Sequence, residues 1–218
     1  MLALVVLIAV LIPAGPLGLD HSWSDAMRRL ETPVLTHLAL AFNWLGRGIG
    51  RALGLTLVGV LLLRRRRWLA LAAFAVAETL APLFSVLLKA LTDRPRPPHG
   101  LIHAAGSSFP SGHATYAGAT CVALVLLFTT PGTRRRWWSV LAVLGVVGMA
   151  WSRTYLQVHW LTDVIAGALL GSGVALLVFA IVGSGVTRRA EGGSPAGSGW
   201  PCWQRRARAP PSGRRARP

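Results

Sequence analysis

The sequence predicts an all-α protein, a six-helix transmembrane bundle, on three observations. Of its 218 residues 53% are hydrophobic, and the mean hydropathy is +0.51. The apolar residues gather in long blocks instead of alternating with polar ones, as membrane spans do. Arginine runs punctuate the blocks, at 64–67, at 134–136 and again toward the C-terminus.

Taken in order, the blocks place spans at about 1–19, 48–63, 68–91, 113–130, 137–152 and 161–182. A bilayer core of about 30 Å needs roughly 20 helical residues. The second and fifth blocks are short by that measure, so their helices must extend into flanking polar sequence. Met1 to Ile12 is assigned to the first span and not to a cleaved leader, because no basic residue precedes the apolar run. Residues 20–47 are more polar. Trp23, Met27, Leu30, Val34, Leu38 and Phe42 recur there near helical spacing, which predicts an amphipathic helix on the outer surface. Residues 1–182 are expected to form the membrane-embedded domain. Residues 183–218, rich in Gly, Ser, Pro and Arg, lack the apolar content to fold and are expected to be a disordered basic tail.

Charge sets the orientation. With the two arginine runs and the tail in the cytoplasm, fifteen of the 22 arginines lie on that side, as the positive-inside rule requires. Six spans then leave both termini cytoplasmic. Trp68, Trp137, Trp138, Trp151 and Trp160 fall near span ends, where indoles settle at the interface or serve as core residues. The net charge of +16 belongs to membrane loops, so nucleic-acid binding is not expected. Cys121 lies in an apolar block and Cys202 in the tail, so neither a disulfide nor a metal-ligand spacing is expected.

Chemistry concentrates in three segments that this topology brings to the non-cytoplasmic face. The first is Lys89-x6-Arg96-Pro97, with the only lysine of the chain. An ammonium and a guanidinium are complementary ways to hold a phosphoryl group, though either alone is also a snorkelling membrane-edge cation. The second is Pro110-Ser111-Gly112-His113, directly before an apolar helix. A helix start offers free N–H groups to an anion, Ser111 adds a hydroxyl, Gly112 permits close approach, and His113 stands in the first turn. Alone, the tetrapeptide is equally a helix cap. The third is Ser152-Arg153-x5-His159-x3-Asp163. On a helix His159 and Asp163 share a face, so Asp163 can accept a hydrogen bond from one imidazole nitrogen and aim the other outward. An interfacial His–Asp pair capping the helix is the plain alternative.

Together, in this order and on one face, the segments resemble the type 2 phosphatidic acid phosphatase superfamily, which also includes the vanadium haloperoxidases. The family pattern K-x6-R-P, P-S-G-H, S-R-x5-H-x3-D is matched at all eleven specified positions. The resemblance implies His159 as nucleophile, Asp163 as its orienting partner and His113 as general acid. It implies Lys89, Arg96, Ser111, Gly112 and Arg153 as phosphate ligands, with no metal or other cofactor. The implied reaction is hydrolysis of a lipid phosphate or isoprenoid diphosphate through a phosphohistidine, at a multi-pass cell-membrane enzyme. Transfer of the phosphoryl group to an acceptor alcohol uses the same intermediate. A non-catalytic lipid-phosphate binder or transporter would use the same cations, but both histidines are present. The substrate and the oligomeric state stay open.

Four further residues stand out. Glu78 lies eleven positions before Lys89 within an apolar span, where a carboxylate is a functional candidate, and is expected to be protonated or hydrogen-bonded inside the bundle. His99 and His103 lie in the loop between the first two motifs, and Asp93 is placed to balance Arg94 or Arg96.

Overall fold

The structure, a computed structural model, describes residues 15–191, with side chains to residue 183. The first expected span and the greater part of the expected tail lie outside the described residues. The chain divides into two compact units, 1–179 and 180–218, and the account below concerns the first.

The described residues form seven helices and no strand: α1 (Gly18–Arg29), α2 (Pro33–Leu45), α3 (Gly48–Arg64), α4 (Trp68–Thr92), α5 (Gly112–Phe128), α6 (Thr133–Tyr155) and α7 (Leu161–Glu191). Four of the expected blocks, those beginning at 48, 68, 113 and 161, start within a residue of a helix; that beginning at 137 falls four residues inside α6.

By length and composition α4 and α7 are apolar enough to cross a membrane singly. At about 1.5 Å per residue, the 25 residues of α4 reach past a bilayer core of about 30 Å. The pair α2–α3 passes the same test only together, bent by 53° at the break, and α5 is a shorter apolar helix. Many large apolar side chains point outward, among them Leu53, Leu57, Leu83, Leu91, Leu141, Leu144 and Leu176. A water-soluble domain does not tolerate such surfaces on several neighbouring helices. The chain is a membrane protein.

The expected single surface helix over 20–47 is two helices. Pro33 lacks an N–H and cannot continue α1, but suits the first position of a new helix. Thr32 caps α2 by accepting from Leu35 N–H (3.3 Å). The two helices are also less superficial than expected. Met27 and Ala39 are buried in a core with Tyr155, Leu156 and Val158, and the Tyr155 hydroxyl, which accepts from Thr32 N–H (3.0 Å), pins the α1–α2 break to the end of α6. Leu30, Val34 and Leu38 stay exposed.

Helix α5 is the axis of the bundle, with buried residues on every side and α4 and α6 packed against it. It crosses α7 at backbone contact. A Cβ on Gly167 would come within 2.4 Å of Ser111 O, one on Gly171 within 1.9 Å of Thr115 O, and one on Gly118 within 2.6 Å of Ala168 O. Small residues are what allow membrane helices to approach this closely. At the far end Arg67 donates to Leu127 O (2.8 Å), placing a cation on the negative end of α5. Of the tryptophans expected at span ends, Trp68, Trp137 and Trp138 point outward, whereas Trp160 is buried and donates to Pro95 O (2.8 Å); it is a core residue.

Candidate active site

The crossing of α5 and α7 builds the site. Ser111 caps α5, its hydroxyl accepting from Ala114 N–H (3.5 Å), while its own N–H donates to Asp163 O (3.0 Å). The start of α5 is thereby fastened to the start of α7. Between α6 and α7 the chain turns sharply at Gln157, a non-glycine residue in the left-handed region (φ 54°). Such a conformation costs about 1 kcal/mol or more. Bonds from its side-chain amide to Thr154 O (3.0 Å) and Ser24 O (3.2 Å) hold it there, and the turn delivers His159.

A cavity of about 530 Å³ opens at this end of the bundle. Six of the eight expected site residues line it: Lys89, Arg96, Gly112, His113, Arg153 and His159. Ser111 and Asp163 stand behind the wall, both fully buried. Three polar atoms of lining residues, Ser85 Oγ, His113 Nε2 and Arg153 Nη2, are buried with no hydrogen-bond partner. Buried polar atoms are rarely left so; three around one cavity mark a place for a polar ligand.

His159 Nδ1 lies 2.8 Å from Ser108 O. A carbonyl only accepts, so Nδ1 carries the hydrogen and the Nε2 lone pair faces Arg96, whose Nη1 is 3.4 Å away. Asp163 Oδ2 is farther, 3.7 Å from Nδ1. The expected hydrogen bond between Asp163 and the imidazole is therefore replaced by one to Ser108. The reason is local: His159 precedes α7 and so does not share a helical face with Asp163. Asp163 Oδ2 instead accepts from Trp160 N–H (2.9 Å), which caps α7. Burial holds the His159 imidazole down at about 4, against the opposing pull of Asp163, so the ring is neutral at physiological pH.

Cations surround this ring. Arg96 donates to Val158 O (2.7 Å), Gly106 O (3.0 Å), Ala105 O (3.0 Å) and Ser107 O (3.2 Å), and Lys89 donates to Ser107 O (2.7 Å). Arg153 donates from Nη1 to Asn43 Oδ1 (2.9 Å). Carbonyls and an amide thus hold three positive charges without neutralising them. Among the described residues no three His, Cys, Asp or Glu side chains gather as a cation site.

Arg94, two residues before Arg96, has a different place. It is buried and bridges two carboxylates, donating from Nη1 to Asp163 Oδ1 and from Nη2 to Asp20 Oδ2, each at 2.6 Å. Asp20 also accepts from Thr162 N–H (2.9 Å) and from Leu17 N–H (3.0 Å). Asp93, expected to balance Arg94 or Arg96, is exposed and ends α4 in the left-handed region instead. Sequence reasoning did not single out Asp20 as a partner, Asn43, or the Ser108 carbonyl. Asn43 is a lone amide in an apolar stretch and was findable; a backbone carbonyl leaves no signal. Of the loop histidines, His103 lines the cavity and His99 does not. Glu78 is buried and accepts from Thr120 Oγ1 (2.7 Å), as expected for a carboxylate bonded within the bundle.

A family model described as the PAP2 superfamily matches residues 70–185. The chain belongs to the PAP2 superfamily. Among its relatives is an undecaprenyl-diphosphatase of Sulfolobus acidocaldarius, 39% identical over 84 residues; the match covers 38% of this chain and 38% of that protein. A phosphatidylglycerophosphatase B of Bacillus subtilis is 30% identical over 169 residues, covering 75% of this chain and 81% of that protein. The fold is that of PAP2 proteins. A crystal structure of a transmembrane PAP2-type phosphatidylglycerolphosphate phosphatase from Bacillus subtilis superposes with a TM-score of 0.72 at 24% identity, over 83% of this chain and 92% of that one.

Proposed function

We propose that this PAP2 protein is an integral-membrane phosphatase that hydrolyses a phosphomonoester or diphosphate of a lipid or isoprenoid, without a metal, through a phosphohistidine. The observation that carries the reading is the cavity itself: two imidazoles and a ring of cations, with three buried polar atoms left unpartnered around it. The names of its relatives pair a diphosphatase of a polyprenyl lipid with a phosphatase of a glycerophospholipid, and both substrates are phosphates on an apolar anchor.

In this reading Lys89, Arg96 and Arg153 hold the phosphoryl oxygens, helped by the Gly112 backbone at the start of α5, which the Ser111 cap behind the wall holds in place. They stabilise the charge spread over these oxygens in the transition state. His159 Nε2 attacks phosphorus, and the bond to the leaving oxygen breaks as His113 gives that oxygen a proton. A bound phosphate dianion beside His113 favours the imidazolium needed for this. The second half reverses the roles: His113 takes a proton from water, the water oxygen attacks phosphorus, and the N–P bond breaks to free phosphate. Asp163, close to Nδ1 though not bonded to it, stabilises the positive imidazole of the intermediate. The membrane topology belongs to the same proposal, with six spans, both termini cytoplasmic and the cavity opening on the non-cytoplasmic face.

The test is phosphate release from a panel of lipid phosphates by detergent-purified protein in EDTA, comparing wild type with His159→Ala. Release by the wild type alone is expected. Equal release by both would remove His159 as nucleophile, and no release by either would remove the phosphatase reading.

A further inference from the structure

Five basic side chains line the cavity, and no carboxylate does: Arg47, Arg51, Lys89, Arg96 and Arg153. The reaction proposed above uses three. The other two come from the α2–α3 break and stand together. Gly46 is packed so tightly on the His113 imidazole that a Cβ there would come within 2.6 Å of Cδ2. Arg47, the next residue, is close enough to act electrostatically on both His113 and Arg153. Arg51 follows one turn into α3, its guanidinium 4.7 Å from the centre of the Tyr116 ring. Tyr116 lies one turn along α5 from His113, so Arg47 stands beside the imidazole and Arg51 about one turn along α5 from it.

Neither arginine forms an ion pair among the described residues. Glu78 is the carboxylate nearest to Arg51 in effect, but it lies off the cavity and is bonded to Thr120. The extra charge thus sits on the side where His113 meets the leaving group. A leaving alcohol ends neutral and has no use for two guanidiniums. A leaving phosphate is an anion and has.

We infer that Arg47 and Arg51 form a second phosphate subsite on the leaving-group side of the cavity, for a substrate that carries two phosphate groups. The inference rests on the phosphatase reading for its chemistry. With a diphosphate, His159 Nε2 bonds to the terminal phosphorus while the bridging P–O bond breaks. The electron pair stays on the bridging oxygen of the lipid monophosphate, held by Arg47 and Arg51 and protonated by His113. Water then cleaves the phosphohistidine to inorganic phosphate.

Purified full-length protein provides the test. Three lipids are compared: farnesyl monophosphate, farnesyl diphosphate, and phosphatidylglycerol phosphate, whose two phosphates are separated by glycerol. Charge-assisted bonds to phosphate are strong enough that Arg47→Gln/Arg51→Gln should cut kcat/KM for a two-phosphate lipid, relative to the monophosphate, by about 10- to 100-fold. Selective loss on farnesyl diphosphate identifies directly linked phosphates as the ligand; selective loss on phosphatidylglycerol phosphate identifies separated ones. Arg65→Gln, in the exposed loop after α3, should change no ratio. Equal loss on all three lipids, or no loss, overturns the subsite. A binding arm keeps this failure apart from failure of the phosphatase reading. By calorimetry the wild type should bind methylenediphosphonate more tightly than inorganic phosphate, and the double variant should lose that preference whether or not any lipid is hydrolysed. Equal binding of both anions by the wild type overturns the inference.

Discussion

The surroundings of His159 suit the nucleophile proposed for it. Ser108 O fixes the tautomer, burial keeps the ring neutral, and Arg96 sits at the free nitrogen. The same burial links stability to pH. His159 binds its proton less tightly folded than unfolded, where its ordinary value is 6.5. Burial alone would raise Asp20, but N–H donors from Thr162 and Leu17 and the charge of Arg94 bring it below its ordinary 3.8. In both cases the unfolded chain binds more protons, so stability falls with falling pH. The His159 contribution is lost from pH 6.5 down through about 4, and that of Asp20 below 3.8. Thermal unfolding in detergent should show wild type losing stability between pH 6.5 and 4.5, with a shallower loss in His159→Gln. Asp20→Asn should be more damaging at neutral pH. It leaves Arg94 buried against one carboxylate, and breaking a buried pair costs about 3–5 kcal/mol. Chemical denaturation of Asp20→Asn at pH 7 measures this, and a change under about 1 kcal/mol would mean that the bridge is not holding Asp163 in place.

Among the elements, the α5–α7 crossing carries the site because both helix starts meet there. Gly171 and Gly59 give opposite expectations for the same change. Gly171→Ala forces a methyl group into Thr115 O and should destabilise by about 1–3 kcal/mol. Gly59, in the middle of α3, has nothing within 4 Å of its would-be Cβ, and Gly59→Ala should stabilise by roughly 0.5–1 kcal/mol. Thermal melts of the two variants in one detergent check both signs. The helices beginning at 48, 68, 112 and 161 were legible in the sequence because long apolar blocks ended by arginine runs, glycines or prolines leave few other choices. The α1–α2 break was missed because the apolar spacing ran across Pro33 and the break was not weighed against it. Likewise His159 and Asp163 looked helical together because four-residue spacing suits a helix. The capping of α7 by Asp163 shows that the helix starts two residues after His159.

The whole molecule depends on long-range geometry that motif order hints at and cannot supply. Lys89, His113 and His159 belong to separate segments, yet all line one cavity. The sequence identified these residues through their chemistry; it gave no distances, and so Arg47, Arg51 and Asn43 went unnoticed as neighbours. Topology is testable separately. In a Cys121→Ser/Cys202→Ser background, His99→Cys should react with a membrane-impermeant thiol reagent in intact cells. Arg134→Cys should react only after lysis. The reverse pattern would put the cavity on the cytoplasmic side.

The account stands on His159 as the atom that takes the phosphoryl group. Rapid acid-free quenching of protein mixed with a turning-over lipid phosphate, followed by peptide mass analysis, tests it most directly. The predicted result is one acid-labile phosphoryl group on the peptide containing His159, absent from His159→Ala. A turning-over enzyme that never carries that adduct, or that still releases phosphate as His159→Ala, would contradict it.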